Sequence, residues 1–253
     1  MAIKAITFDL WDTVLIDDSD EPKRKDQGLK PKNETRRQIL WDVLNAHAPI
    51  DKATTDTAFQ AQEIAYRERW LGEQVTPSVT DRMTSILADL GRQLPAAEFD
   101  QLVSACENME VVISPDIFNG AADAIKDLSN RYKLGVISDT IYTPGTGMRA
   151  ILERYGVRSC FSEFSFSDEV GRAKPDVAIF AYVAEKLGVD YHEMIHIGDR
   201  KLNDIRGAQA LGMKAILFTQ SRDESNIEGA EADAVATDYA DLLAQIDAVS
   251  ARN

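Results

Sequence analysis

Two apolar runs in this chain stop on an acid. In ITFDLWDTV the run ends on Asp9, with Trp11, Asp12 and Thr13 following. In IHIGDRKLND it ends on Asp199, with Asp204 five residues on. A carboxylate fixed at a strand tip can act as a nucleophile and split one hard hydrolysis into two easier steps. Two acids five apart around a strand-to-helix turn can both face one hard cation such as Mg²⁺. That cation would neutralise the charge gathered where a carboxylate meets a phosphoryl group. Two more stretches supply what an anionic substrate needs. LGVISDT closes a third apolar run on Ser138, Asp139 and Thr140, and a hydroxyl such as Ser138 with neighbouring N–H groups can hold phosphate oxygens. DEVGRAKPD carries Lys174, a point charge able to screen an anionic substrate from a carboxylate that would repel it.

These residues need elements to position them. Residues 2–10 read as a buried strand, apolar without helical period. The stretch DDSDEPKRKDQGLKPKNE is charged and holds two prolines, and reads as a loop or linker. Four amphipathic helices are expected next, at Thr35–Ala48, Thr55–Leu71, Thr80–Leu90 and Ala96–Met109, as an inserted helical module. After Pro115 the pattern alternates. Helices near Gly120–Arg131, Gly147–Tyr155, Ala178–Leu187, Asp204–Leu211 and Tyr239–Val249 separate strands near Lys133–Ile137, Phe164–Ser167, Glu193–Ile197, Lys214–Phe218 and Ala234–Ala236. Strands alternating with helices imply an α/β fold, a parallel sheet covered on both faces. Ligands in such sheets bind beyond the carboxyl ends of the strands, where the residues above fall.

Taken singly, each has an ordinary explanation. A Gly-Asp at a strand end is often a turn, Asp204 alone suits a helix N-cap, and Lys-Pro before a helix is common. Four such features in chain order, each after a strand of one sheet, favour a shared site.

Composition narrows the function classes. The chain of 253 residues carries a formal charge of −14. That argues against nucleic-acid or anionic-membrane binding, which needs a basic face, but not against a small anionic substrate held at a locally positive site. Cys106 and Cys160 have no metal-ligand spacing and read as reduced thiols. The N-terminal apolar run is broken by Lys4 and too short for a signal core. No run approaches the ~18 apolar residues of a membrane span. A cytoplasmic protein is expected, with oligomeric state open.

ITFDLWDTV, LGVISDT, DEVGRAKPD and IHIGDRKLNDIRGAQALGM together resemble the haloacid dehalogenase (HAD) superfamily, in its subgroup with a helical cap inserted after the first strand. The resemblance covers essentially the whole chain. It implies a Rossmann-like core (1–15 and 115–253) and an inserted α-helical cap (16–114) that closes over the site and chooses the substrate. It further implies Asp9 as aspartyl nucleophile, with Thr13 in the same motif, Ser138 as the second-motif hydroxyl and Lys174 as the third-motif lysine. Substrate contacts would come from Ser138, Asp139, Lys174 and Trp11. Mg²⁺ would be held by Asp9, the Trp11 backbone carbonyl, Asp199 and Asp204.

One position departs from the family pattern. Its phosphatases carry an acid two residues after the nucleophile, which protonates the leaving alcohol and then activates water. Here Trp11 stands there, with an indole N–H and no titratable proton. Asp12 is adjacent, but one step along the chain re-aims a side chain. Three readings follow. The first is a Mg²⁺-dependent phosphohydrolase on a small phosphorylated metabolite, favouring leaving groups that need little protonation. The second is a metal-independent 2-haloacid dehalogenase with Arg36 or Arg37 as its cap arginine. The third is a catalytically silent binding protein with Trp11 plugging the site. Trp11 could also simply pack under the cap, which fits all three. Other residues read as ordinary: Trp41 and Trp70 as cap core, His47, His192 and His196 as structural or surface, Arg200 and Lys201 as solvated, and Asp17–Glu21 as a solvated hinge.

Overall fold

The computed structural model describes residues 2–252, so residues 1 and 253, at the outer ends of the expected core, lie outside the described residues. Six strands form one sheet: β1 (Ala5–Phe8), β2 (Lys133–Ser138), β3 (Glu163–Phe166), β4 (Met194–Gly198), β5 (Lys214–Phe218) and β6 (Ala234–Ala236). Every neighbouring pair is parallel, in the order β3-β2-β1-β4-β5-β6. The order reverses at β1, so a crevice opens between the carboxyl ends of β1 and β4. Phe8 pairs in register with Ile197, which brings the Asp9 and Asp199 segments side by side.

Between β1 and β2 the chain is helical: α1 (Asp20–Asp26), α2 (Lys32–His47), α3 (Lys52–Glu68), α4 (Val79–Asp89), α5 (Ala96–Glu107) and α6 (Met109–Val112). Asp51 caps α3, and Ser78 with Asp81 forms a reciprocal capping box on α4. Leu40, Leu44, Phe59, Met83, Ile86 and Leu102 pack into a cluster distinct from those on the sheet. The expected helices are present with ends shifted by a few residues, as helix termini are the least sharply encoded part of a sequence.

The expected loop over the charged stretch is corrected. It contains α1, whose Asp20 and Arg24 point inward. Asp20 is fully buried and accepts from Lys32 Nζ at 2.6 Å, while Arg24 donates to Lys30 O and Thr35 Oγ1. This helix is held by ion pairs and carries no apolar stripe, so hydrophobic periodicity does not reveal it. Of the stretch Asp17–Glu21, expected as a solvated hinge, Asp17 and Asp18 are exposed, while Asp20 is buried at the start of α1.

α7 (Ala121–Ser129) precedes β2, and after β2 come α8 (Gly145–Arg154), α9 (Ser167–Val170), α10 (Val177–Leu187), α11 (Gly207–Gln209) and α12 (Tyr239–Ala251). Strand side chains alternate between faces. Ile6, Phe8, Ile195, Ile197, Ile216 and Phe218 meet α7, α8 and α12, while Ala5, Met194, Ala215 and Leu217 meet α10 and α11 on the other side. Each large apolar side chain so buried is worth roughly 1.5–3 kcal/mol. The helix expected over Asp204–Leu211 begins earlier, as a π-helical turn at Lys201–Arg206 running into α11. No described helix is long and apolar enough to cross a membrane.

Candidate active site

β1 delivers Asp9 to the crevice, where its backbone N–H extends the ladder to Ile197 O at 2.8 Å. The side chain is buried, and Lys174 Nζ lies 2.7 Å from Asp9 Oδ1. The same ammonium lies 2.6 Å from Asp204 Oδ1. Asp204 is fully buried and also accepts from the Arg200 N–H at Oδ2 (3.0 Å) and from His196 Nε2 (3.2 Å). An ionised carboxylate only accepts, so His196 carries its proton on Nε2 and its Nδ1 faces the Thr7 hydroxyl at 2.9 Å. Thr7, His196, Asp204 and Lys174 thus form a buried relay that fixes Lys174 against Asp9.

The charges set the behaviour of each group. Burial raises the Asp9 carboxyl above the usual carboxylate range; Lys174 opposes this and Asp204 adds to it. Burial, then Asp204 and Asp9, pushes Asp199 up to about 8. For Asp204, burial is outweighed by Lys174 and His196, and its carboxyl is held low. Lys174 is held charged because Asp204, Asp9 and Asp139 outweigh its burial.

Asp9, Asp199 and Asp204 offer carboxylate oxygens all within 4.8 Å of one another. Asp199 Oδ2 is buried without a hydrogen-bond donor among the described residues; Arg222 Nε lies 3.2 Å away but off the bonding direction. Both Asp204 oxygens are engaged, so Asp9 and Asp199 hold the oxygens best placed for a hard cation. An all-oxygen cluster with crowded, desolvated charge fits Mg²⁺. Gly198 makes room for this arrangement: a Cβ there would lie 2.5 Å from Asp204 Cβ. Gly198→Ala is expected to cost about 1–3 kcal/mol through overpacking and to loosen the Lys174 anchor. Denaturant unfolding checks the first effect, and an unchanged midpoint contradicts it.

Above Asp9 lies a cavity of about 240 Å³. Its floor includes Asp9, Asp139, Lys174 and Asp199, and its walls include Trp11, Trp70, Tyr142 and Arg36. Asp139 accepts from the Lys174 N–H at Oδ1 (2.9 Å) and from Trp70 Nε1 at Oδ2 (2.9 Å), and burial pushes its carboxyl up to about 6. Trp11 faces the cavity, and its indole N–H has no acceptor among the described residues. Ser138 ends β2 fully buried, outside the cavity lining, with its hydroxyl 3.5 Å from Asp139 O. Thr13 is also fully buried and outside the lining; its carbonyl accepts from Tyr239 OH. Asp12 adopts a left-handed backbone (φ 54°) and accepts from Ser221 Oγ at 2.7 Å.

Several residues at the site escape sequence reasoning. Trp70, read as cap core, stands on a π-helical turn (Arg69–Glu73) and reaches Asp139. Arg200 also lines the cavity, whereas Lys201 is buried and donates to Ser225 O and Ile227 O. Of the two cap arginines, Arg36 lines the cavity, and Arg37 lies over Phe59. Lys32 and Glu110 join Arg36 there. A signal for these lay only in their charge on otherwise apolar helix faces.

Comparison with known proteins gives one family. The family model for haloacid dehalogenase-like hydrolases matches residues 3–212. A glyceraldehyde 3-phosphate phosphatase of Pyrococcus abyssi is 32% identical over 225 residues, covering 85% of this chain and 81% of the relative. Another, of Methanothermobacter thermautotrophicus, is 30% identical over 130 residues, and the match spans 51% of this chain and 56% of that relative's length. A solved HAD phosphatase from Thermococcus onnurineus superposes with a TM-score of 0.62 at 20% identity, covering 96% of this chain and 98% of that one.

Proposed function

The chain belongs to the haloacid dehalogenase-like hydrolase family, and from that premise we propose a Mg²⁺-dependent phosphohydrolase acting on a small phosphorylated metabolite through an aspartyl-phosphate on Asp9. The observation that carries this reading is the buried Asp9 carboxylate, clamped by Lys174 beside an Asp199 oxygen that lacks a donor. Relatives named as phosphatases support it. We assign residues 16–114 as a cap over the core and place the protein in the cytoplasm, consistent with free Cys106 and Cys160.

Asp9 and Asp199 would hold the metal, with the Trp11 carbonyl completing the set and Asp204 acting from behind through Lys174. Bound there, the cation would supply the positive charge that keeps both carboxylates ionised and offsets that of the transferring phosphoryl group. Lys174 holds Asp9 Oδ1, leaving the other oxygen to attack phosphorus in line. The phosphorus–oxygen bond to the leaving group breaks as the new one forms. Water then attacks phosphorus of the aspartyl-phosphate, the bond from Asp9 oxygen to phosphorus breaks, both protons of the water leave on dihydrogen phosphate, and the Asp9 carboxylate is restored. Lys174 screens the anionic substrate throughout. Trp11 can donate a hydrogen bond but no proton, so acyl and aryl phosphates, whose leaving groups need little protonation, are favoured over alkyl phosphates.

The test uses an aryl phosphate, an acyl phosphate and 2-chloropropionate, each with Mg²⁺ or EDTA. Phosphate release that requires Mg²⁺ is expected. Metal-independent chloride release would sink the reading in favour of a dehalogenase.

A further inference from the structure

The two sides of the cavity differ in charge. On the floor, Lys174 and Arg200 accompany the carboxylates that would meet metal and phosphate. On the side formed by the helices and the segment after β1, four carboxylates line the wall, those of Asp12, Asp17, Asp18 and Glu110. Two cations, Lys32 and Arg36, stand among them, and both are engaged. Lys32 Nζ lies 2.6 Å from Asp20, 3.1 Å from Asp18 and 3.3 Å from Glu110. Arg36 lies 3.3 Å from Glu110, donates from Nε to Cys106 O, and stacks 3.6 Å over the Tyr142 ring. Asp20, buried behind this wall, adds a further negative charge. Crowding is already evident: burial, then Asp18 and Asp12, pushes the Asp17 carboxyl up to about 6, so at neutral pH it still ionises.

Hydrogen-bond capacity points the same way. The wall carboxylates only accept hydrogen bonds. A hydroxyl can donate to them, which an anion cannot. A second carboxylate or phosphate would face four wall carboxylates against only two cations, Lys32 and Arg36, which those carboxylates already engage.

We infer that the part of the substrate beyond its phosphoryl group bears no second anion, and that Asp17, Asp18 and Glu110 enforce this choice. The inference rests on the phosphohydrolase reading. These residues act on the leaving group's charge, so they set specificity without taking part in bond making.

Two esters of matched shape test this: 3-(hydroxymethyl)phenyl phosphate and 3-carboxyphenyl phosphate, each with Mg²⁺. The expected kcat/KM is about tenfold higher for the hydroxymethyl ester, the size of a like-charge repulsion across several ångströms at intermediate dielectric. That ratio is expected to fall towards unity in the Asp17→Asn/Asp18→Asn double variant, and to shrink as ionic strength rises. A purely structural role for the two aspartates would change both esters together and leave the ratio alone. Equal kcat/KM for the two esters in the wild type, or a ratio unmoved in the double variant, overturns the inference. Phosphate release from neither ester overturns the phosphohydrolase reading, and the inference with it.

Discussion

Asp9→Asn is expected to lower phosphate release from an acyl phosphate by about 10⁴-fold or more, the scale seen when a nucleophile is removed from a working site. The amide has nearly the carboxylate's shape, and its oxygen can still accept from Lys174 Nζ, which now sits 2.7 Å from Asp9 Oδ1. What disappears is the nucleophile. The fold should not suffer: burial and Asp204 disfavour the Asp9 charge, so the native structure gains little from ionising it. The unfolding midpoint of the variant in EDTA at neutral pH is therefore expected to equal or exceed that of the wild type. Steady-state phosphate release and denaturant unfolding measure the two effects separately. Substantial turnover by a folded Asp9→Asn variant would remove Asp9 from the mechanism.

Trp11→Asp is expected to act in the opposite direction. It places a titratable acid two residues after the nucleophile, where the leaving oxygen of an alkyl phosphate needs a proton. General acid–base help is worth about 10²–10⁴-fold, or roughly 3–5 kcal/mol of barrier. For an alkyl phosphate kcat/KM, which reports aspartyl-phosphate formation, should rise by about that factor, while for an acyl phosphate kcat/KM should change little and only kcat should gain, through activation of water on the shared intermediate. Trp11 is half-buried against the sheet-side core, so some stability is lost with the indole. Trp11→Phe separates the effects, since it keeps most of the bulk and adds no acid. A gain on alkyl phosphate in Trp11→Asp alone supports the assignment. An equal rise in kcat/KM for alkyl and acyl phosphates, or a gain in Trp11→Phe as well, contradicts it.

Much of this site was legible in the sequence because parallel sheets concentrate chemistry beyond their carboxyl ends. Asp9, Asp139 and Asp199 follow strands directly, and Lys174 and Asp204 stand in the turns beyond β3 and β4. The supporting shell was not legible, for definite physical reasons. His196 looks like an ordinary strand residue, and its partner Thr7 lies 189 positions away. Trp70 has helical spacing that places it in the cap core, but the wider π-helical turn at Arg69–Glu73 breaks the 3.6-residue period and carries it to Asp139. Arg82 is fully buried, with its guanidinium held by Glu63 and Ile141 O and stacked 4.0 Å from the Tyr142 ring centroid. Such polar interiors leave no apolar pattern to read, which is also why α1 carries no helical signal in the sequence. Asp204 was legible as a candidate metal-side acid, but its anchoring of Lys174 emerges only from the three-dimensional hydrogen bonds.

The most direct measurement is a rapid acid quench of the protein turning over an acyl phosphate with Mg²⁺, followed by peptide mapping. The expected result is one phosphoryl group on the peptide containing Asp9, and none in Asp9→Asn. Turnover with the phosphoryl group on another residue, or on none, would contradict an aspartyl-phosphate at Asp9.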